Sequence, residues 1–317
     1  MTSISFSIPT VAPFSFDLAL NYLRGSPARI VERLGEHSYH RPIELEGAPA
    51  LLSVETIRDE PTALRVTLQG DRLPSEAESL IRPVVRRVFA TNVDLAPLIE
   101  SFSAQDQFGQ ELLTRFRGVR PVLLPDIFET ITWAIIGQQI NVIFAAKCKR
   151  AFVERFGTAF QLDGKSWMLF PTPERVVDIN EAELAQIQFS RQKSRYILNL
   201  AREIVDGRLD LEALLTMSPE AAQQRLEQLT GIGRWTAEYV LMRGIGHRDV
   251  IPAGDGGLRR IVGERYGLGR LASEAEVRAI AEPWTGWRSY FAFYLWFTLQ
   301  EEERLKREAR LLSKASR

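Results

Sequence analysis

A short glycine-bearing segment constrains the fold of this chain more than any other part of it. Residues 227–244 read EQLTGIGRWTAEYVLMRG, with helical patterns ending near Leu229 and resuming near Trp235. Gly231 and Gly233, which stand between these two patterns, allow a tight turn and leave the backbone bare. The sequence therefore predicts two helices joined by a hairpin.

This hairpin is suited to binding an anion. The backbone amides of Gly231, Gly233 and Arg234 can point outward at the positive end of the second helix, where a DNA phosphate fits without any base contact. The predicted DNA backbone-binding residues are Thr230, Gly231, Gly233, Arg234 and Thr236. Carbonyl groups on the other side of the hairpin could hold a monovalent cation. A Gly-x-Gly turn that serves packing alone is the alternative.

A second informative segment begins five residues after the second helix ends. Within DVIPAGDGGLRRIVG (249–263), Asp255 stands between Gly254 and Gly256 and precedes an amphipathic stretch. An acid in this place caps the helix that follows. A carboxylate at a helix start also stays ionised and ordered, so the cap is compatible with a role in catalysis.

The hairpin and the Asp255 loop together resemble the helix-hairpin-helix base-excision DNA glycosylases. The resemblance narrows to the alkylation-repair branch, 3-methyladenine DNA glycosylase II. Its marks are FPTPERV (170–176), GIGRWTAEYVLMRG (231–244), the Asp255 loop and WRSYFAFYLW (287–296). It extends over nearly the whole chain, more weakly over roughly the first 90 residues.

The resemblance implies an enzyme that flips alkylated bases, such as 3-methyladenine, out of double-stranded DNA and removes them by hydrolysis. Breaking the glycosidic bond builds positive charge on the sugar, and a nearby carboxylate stabilises that charge. Asp255 is the predicted catalytic residue. A base that alkylation has already made cationic leaves readily, so one acid suffices.

The base pocket needs flat, electron-rich surfaces, because a cationic base is attracted to aromatic faces. Trp235 and Tyr239 lie at i and i+4 on one face of the second helix of the hairpin. The resemblance adds Trp296 and Tyr22 as further pocket residues. Ordinary packing in the core is the alternative for each of the four.

Position 235 also bears on the type of reaction. Members of the superfamily that cut the DNA strand carry a lysine there, which forms a Schiff base with the sugar. This chain has Trp235 instead, and no lysine occurs between Lys193 and Lys306. The resemblance thus implies a hydrolytic glycosylase without lyase activity.

A side chain inserted into the DNA usually fills the gap left by a flipped base. In the family this wedge is an apolar residue that follows a Gly-Gln pair. Here the pair is followed by Gln139 and then Ile140, which are the wedge candidates. A polar wedge excludes water less well than an apolar one. The basic segment SRQKSRYI (190–197) is either solvated surface or a phosphate-tracking stretch.

The predicted fold class is α+β. A small antiparallel sheet with helices is expected over residues 1–92, with strands in 30–45, 50–58 and 63–70, and an all-α helix-hairpin-helix bundle over residues 93–317. A helix over residues 75–90 is expected to start with a capping box made by Ser75 and Glu78.

The composition of the chain excludes several other classes of protein. Hydrophobic residues make up 45% and charged residues 25%, as in globular proteins, and the 40 basic and 40 acidic residues balance. Neither a secretory signal nor a membrane span is present, so we expect a cytoplasmic monomer that joins the nucleoid when it binds DNA. A single cysteine and three histidines without ligand spacing predict no metal site, and no cofactor is expected.

Two other functions stay open at this point. One is a glycosylase of the same fold that acts on oxidised or deaminated bases. The other is a non-catalytic helix-hairpin-helix protein that only binds DNA. The second would need neither Asp255 in its loop nor the set of aromatic residues.

Overall fold

An antiparallel five-stranded sheet forms the first part of the computed structural model, which describes residues 1–58, 60–101 and 106–315. The strand order is β1-β5-β4-β3-β2, and every neighbouring pair is antiparallel. The strands are β1 (Thr2–Pro9), β2 (Arg33–Leu34), β3 (Ser38–Leu45), β4 (Ala48–Ile57) and β5 (Glu60–Gly70). The three predicted strand regions are confirmed, each with shifted ends.

The first strand was not predicted, although its sequence carries the signal. In TSISFSIP the apolar residues Ile4, Phe6 and Ile8 alternate with serines, as expected of a strand with one buried face. Phe6 lies opposite Val66 of β5, and Ile8 is fully buried. β1 thereby completes the edge of the sheet.

Helices make up most of the remaining structure, and the predicted α+β class is confirmed. They are α1 (Phe16–Gly25), α2 (Ala77–Phe89), α3 (Ala96–Ser101), α4 (Gln107–Arg115), α5 (Ile127–Gly137), α6 (Val142–Phe156), α7 (Pro173–Val177), α8 (Glu181–Gln186), α9 (Arg191–Val205), α10 (Leu211–Leu214), α11 (Pro219–Glu227), α12 (Arg234–Val240), α13 (Gly256–Arg265), α14 (Glu274–Ile280) and α15 (Arg288–Ala315). A π-helical turn, Leu241–Ile245, continues α12. Within the described ranges, no helix combines the length and apolar character needed to cross a lipid bilayer.

The predicted capping box at the start of α2 is wrong. The helix begins at Ala77. Glu76, the N-cap residue before it, makes no hydrogen bond from its side chain to the first turn. The hydroxyl of Ser75 donates to the Glu76 carboxylate instead, at 2.8 Å, while Glu78 pairs with Arg82 one turn along. The local ion pairs thus replace the expected reciprocal cap.

One β-hairpin interrupts the helical part and joins it to the first sheet. Its strands are β6 (Thr158–Leu162) and β7 (Lys165–Leu169). Trp167 packs with Leu162 against Leu51 of β4, and the Arg33 guanidinium lies 4.2 Å from the centre of the Trp167 ring. These contacts cross the expected division at residues 92 and 93, which stays a prediction.

Two large hydrophobic clusters form most of the core in the described part of the chain. One combines the inner face of the sheet and α1 with α13, α14 and the buried part of α15. The other lies among α5, α6, α9 and α12 in the middle of the chain. Because α15 packs against α1, the end of the chain is held against its beginning. The hairpin and Asp255 loop lie where these clusters meet.

A buried set of charges ties the sheet to the helices. The Glu129 carboxylate on α5 is fully buried and accepts hydrogen bonds from Arg41 of β3 and from the Lys149 ammonium of α6, the latter at 2.6 Å. Arg41 also donates to Glu32 at 2.5 Å, and Lys149 to the Ala28 carbonyl at 2.6 Å. Burial acts to raise the pKa of Glu129, but the two cations outweigh it and hold that pKa below its usual range.

We expect Glu129→Gln to lower the free energy of unfolding by about 3–5 kcal/mol, because it leaves two buried cations short of their common anion. Urea unfolding at neutral pH measures the change. The contribution of Glu129 is present above its unfolded-state pKa and is lost as the pH falls through its lowered folded-state pKa, so wild type and variant should converge in acid.

Glu78→Gln is the matched control, because Glu78 pairs with Arg82 on the surface of α2. An exposed pair of this kind contributes less than about 1 kcal/mol. Equal losses from the two substitutions would contradict a special role for the buried set.

Candidate functional site

Asp255 is fixed at the start of α13 by two donors. Its Oδ1 accepts the Leu258 backbone N–H at 2.9 Å, which makes it the N-cap of the helix as predicted. The same oxygen accepts the indole N–H of Trp296 on α15 at 3.1 Å. The side chain is half-buried, so the carboxylate is ordered and still borders open space.

The loop that carries Asp255 is braced by the first turns of α15. The Arg288 guanidinium binds both carboxylate oxygens of Asp249, at 2.6 and 2.7 Å. The Ser289 hydroxyl accepts the Val250 N–H at 3.1 Å, and its own proton lies within reach of two loop carbonyls, those of His247 at 2.7 Å and Val250 at 2.8 Å. One helix thus holds the beginning of the loop through Arg288 and Ser289, and its end through Trp296.

Three of the four predicted pocket aromatics form one cluster beside Asp255. The Tyr239 ring lies 5.8 Å from Trp235 and 5.9 Å from Trp296, measured between ring centres. Trp235 and Trp296 are half-buried, whereas Tyr239 is buried, and burial raises the pKa of its hydroxyl to about 12. The cluster offers flat aromatic surface next to an ionisable carboxyl group.

The fourth predicted pocket residue, Tyr22, lies deeper. It is buried with its ring 4.4 Å from Phe293 and 5.5 Å from Phe297, and its hydroxyl bonds to the guanidinium of Arg243. Tyr22 thus lies behind the three clustered rings, and its place in the pocket wall stays a prediction. The residue is buried there because α1 packs directly on α15.

The hairpin has the shape that its glycines predict. Gly231 has φ +88°, in the left-handed region, and a Cβ there would lie 2.2 Å from the Tyr196 ring. Gly233 caps α12 without a side chain, so the first backbone N–H groups of that helix are left for an external acceptor. Thr230, Gly233 and Arg234 are exposed.

Thr236 departs from its prediction as a DNA contact. It is buried, and its hydroxyl oxygen accepts the Gln138 side-chain amide at 3.1 Å. The same amide nitrogen donates to the Gly231 carbonyl at 2.9 Å. Thr236 thus acts inside the protein. Gln138, which was not among the predicted site residues, joins the end of α5 to the hairpin.

The two wedge candidates follow directly after this link. Gln139 is exposed with φ +56°, and Ile140 is half-buried. Both border a cavity of about 710 Å³ whose opposite side includes Gly233 and Trp235. The wedge segment and the hairpin, 90 residues apart in sequence, therefore face each other across one cleft.

The basic segment at the start of α9 is engaged within the protein. Arg191 and Arg195 both pair with Glu181, at 3.5 and 3.2 Å. The Lys193 ammonium donates to the Ile136 carbonyl at 2.7 Å, and burial lowers the pKa of Lys193. The Lys193 contact gives that residue a structural role near the wedge segment. Arg191 and Arg195 stay exposed despite their ion pairs, so phosphate tracking by these two side chains stays a prediction.

Metal ligands were searched for among the described residues. No group of three or more His, Cys, Asp or Glu side chains there could hold a metal ion. The monovalent cation expected at the hairpin carbonyls stays a prediction.

Comparison with known proteins places the chain in a family. Residues 132–286 match the HhH-GPD superfamily of base excision DNA repair proteins. The DNA-3-methyladenine glycosylase of Bacillus subtilis is 31% identical over 93% of this chain and 97% of its own length. The chain therefore belongs to the HhH-GPD superfamily, as its motifs indicate.

Two further relatives point to the alkylation-repair branch of this superfamily. DNA-3-methyladenine glycosylase 2 of Escherichia coli is 26% identical over 90% of this chain and 94% of its own. The structure of the 3-methyladenine DNA glycosylase of Archaeoglobus fulgidus superimposes with a TM-score of 0.79 at 28% identity, covering 93% of this chain and 98% of that one. The predicted resemblance to the alkylation-repair branch is confirmed.

We expect the two hairpin glycines to differ in their tolerance of alanine. Gly231→Ala should lower the free energy of unfolding by about 2–4 kcal/mol, through an unfavourable φ and contact with Tyr196. Gly233→Ala should cost less than about 1 kcal/mol, because its φ of −98° suits any residue and its Cβ meets open space. Urea unfolding of both variants measures the difference. Equal costs would refute the assigned hairpin geometry.

Proposed function

We propose that this chain is a DNA glycosylase that flips alkylated bases, 3-methyladenine among them, out of double-stranded DNA and releases them by hydrolysis, with Asp255 as its catalytic residue. The observation that carries the proposal is the Asp255 carboxylate, held by the Leu258 N–H and the Trp296 indole at the edge of an aromatic cluster. The relatives named above are DNA-3-methyladenine glycosylases by name.

Asp255 would act on the sugar. As the glycosidic bond breaks, positive charge builds near C1′, and an ionised carboxylate beside it lowers the barrier. Two fixed donors keep the carboxylate in place without further reorganisation. The cationic base leaves as a neutral molecule with the electron pair of the broken bond. Water then bonds to C1′ and gives up a proton to solvent, so an abasic sugar stays in the strand.

Trp235, Tyr239 and Trp296 would receive the flipped base. The Tyr239 ring lies between the other two, with its centre 5.8 Å from that of Trp235 and 5.9 Å from that of Trp296. The three rings therefore present a continuous aromatic surface rather than separate patches. Such a surface attracts a cationic alkylated base more than a normal neutral one. The lesion itself also lowers the energy needed to leave the stack.

The DNA backbone would be held by the exposed side of the hairpin. Thr230, Gly233 and Arg234 lie there, at the positive end of α12. Across the cleft, Gln139 and Ile140 would fill the gap left by the base. The Gln138 amide bonded to Gly231 keeps the two DNA-contacting segments at a fixed separation.

Hydrolysis without strand cleavage is the proposed reaction type. A lyase needs an amine that attacks C1′, and the position between the hairpin and Tyr239 holds Trp235. Lys193 of α9 lines the same cleft, but its ammonium is hydrogen-bonded to the Ile136 carbonyl. Trp235 has no amine, and the Lys193 nitrogen is engaged by a backbone carbonyl on α5.

Asp255→Asn should abolish release of 3-methyladenine from randomly methylated duplex DNA, by at least about a hundredfold in single-turnover rate. Asparagine is as good an N-cap as aspartate, so folding and DNA affinity should persist. Chromatography of the released bases and a gel-shift titration measure the two properties.

Asp249→Asn is the matched control, because Asp249 lies in the same loop and binds Arg288. It should release 3-methyladenine at a rate within about tenfold of wild type. Undiminished release by Asp255→Asn would remove Asp255 from the chemistry. A wild type that releases no methylated base would redirect the function to oxidised or deaminated lesions.

We expect borohydride to trap no covalent complex between the wild-type protein and lesion-containing DNA. A Schiff base would be reduced to a stable amine, whereas a hydrolytic enzyme forms none. Denaturing electrophoresis of the mixture is the measurement, with a strand-cleaving glycosylase as positive control. A trapped band that disappears in Lys193→Met would establish lyase chemistry from α9.

A further inference from the structure

A buried arginine without an acidic partner lies behind the aromatic cluster. Arg243, in the π-helical turn after α12, is only 3% exposed. Its guanidinium carbon lies 5.1 Å from the ring centre of Tyr22, 5.8 Å from Phe293 and 6.0 Å from Trp296. Among the described residues, the Tyr22 hydroxyl is the one side-chain group that hydrogen-bonds to the Arg243 guanidinium. The Nε–H of Arg243 has no acceptor there.

Burying Arg243 without a carboxylate partner lowers the stability of the folded protein. A cation removed from water is normally compensated by a buried carboxylate, as Arg41 is by Glu32 and Glu129. Burial opposes the charge of Arg243, but the oxygens of Tyr22 and Tyr239 keep its pKa above the ordinary value. The result is a permanent positive charge, screened little by solvent, directly behind Trp296 and Tyr239.

A second hydrogen-bond donor, within the aromatic cluster itself, also lacks an acceptor. The indole nitrogen of Trp235 is buried and unpaired, although the rest of its side chain reaches the cleft. The cluster therefore has positive charge and spare N–H donors, and the Asp255 carboxylate lies to one side of it. The missing partner is one that brings electron-rich nitrogen or oxygen atoms.

We infer that Arg243 is a specificity-determining residue, whose buried charge favours release of damaged bases that are neutral in DNA. This inference rests on the proposed glycosylase function and extends its substrate class. Arg243 acts through the aromatic side chains and does not replace Asp255.

The electron balance of the two reactions gives the reason. When the bond from C1′ to a neutral purine breaks, the electron pair stays on the purine, which leaves as an anion and later takes up a proton. Water supplies the hydroxyl that bonds to C1′. A cationic 3-methyladenine receives the same electron pair but leaves neutral, so no negative charge forms on it.

A fixed cation therefore separates the two classes. Measured from the base still stacked in DNA, it stabilises the transition state in which a neutral base becomes negative. A cationic base is repelled by the same charge when it enters the pocket, and this repulsion offsets the gain on bond breaking. The guanidinium lies 6.0 Å from the Trp296 ring centre, so a base stacked on the far side of that ring would be roughly 9–10 Å from the charge. Coulomb's law with an effective dielectric constant of about 20 still gives an effect of about tenfold in rate at that separation.

Arg243→Met tests the inference with two substrates: a duplex with one hypoxanthine, which is neutral, and randomly methylated DNA that contains cationic 3-methyladenine. Single-turnover release should fall about tenfold for hypoxanthine and stay equal or rise for 3-methyladenine. Arg243→Lys, which keeps the charge, should retain more hypoxanthine release than Arg243→Met. If circular dichroism shows that Arg243→Met does not fold, Arg243→Gln takes its place.

Arg87→Met is the matched control. It removes another largely buried arginine, whose guanidinium binds the carbonyls of Gly244 and Pro125 away from the rings. Its effect on the two substrates should be equal.

Three results would overturn the inference: a wild type that releases 3-methyladenine but no hypoxanthine, equal losses on both substrates in Arg243→Met, or no change on either. A wild type that releases neither base would instead refute the proposed function itself.

Discussion

The buried Glu129 carboxylate is the interaction on which the arrangement of this molecule depends. It receives Arg41 from the sheet and Lys149 from α6, so it sets where α5 lies relative to both. The far end of α5 carries Gln138, whose amide bonds to the hairpin. The separation of the wedge segment from the hairpin thus follows from a charged contact at the other end of the same helix.

The second constraint is the long helix α15, which serves both the core and the site. Its buried face packs against α1 and the sheet, while Arg288, Ser289 and Trp296 hold the Asp255 loop. Asp255 is therefore placed by two helices, α13 through its cap and α15 through an indole. Under the proposed function, a carboxylate held by these two donors would act without further reorganisation of the loop.

Much of this could be predicted from local sequence. The hairpin needs Gly231 for its positive φ, and Asp255 needs only the backbone N–H groups of the next turn, so both depend on near neighbours in sequence. The strand β1 was equally readable from its alternation. The start of α2 could not be predicted in this way: the sequence indicates a capping box at Ser75, but Glu78 forms an ion pair with Arg82 instead.

The sequence by itself indicated the family, through the resemblance of its motifs. It also indicated the α+β class and the order of the hairpin and the Asp255 loop, because these follow from glycine conformations, capping and periodicity. Only the tertiary structure decided which way side chains face. It placed Thr236 on Gln138, Tyr22 behind the cluster and Arg243 beneath the rings. Partners more than 50 residues apart meet through packing, and no local pattern encodes the direction of such a contact.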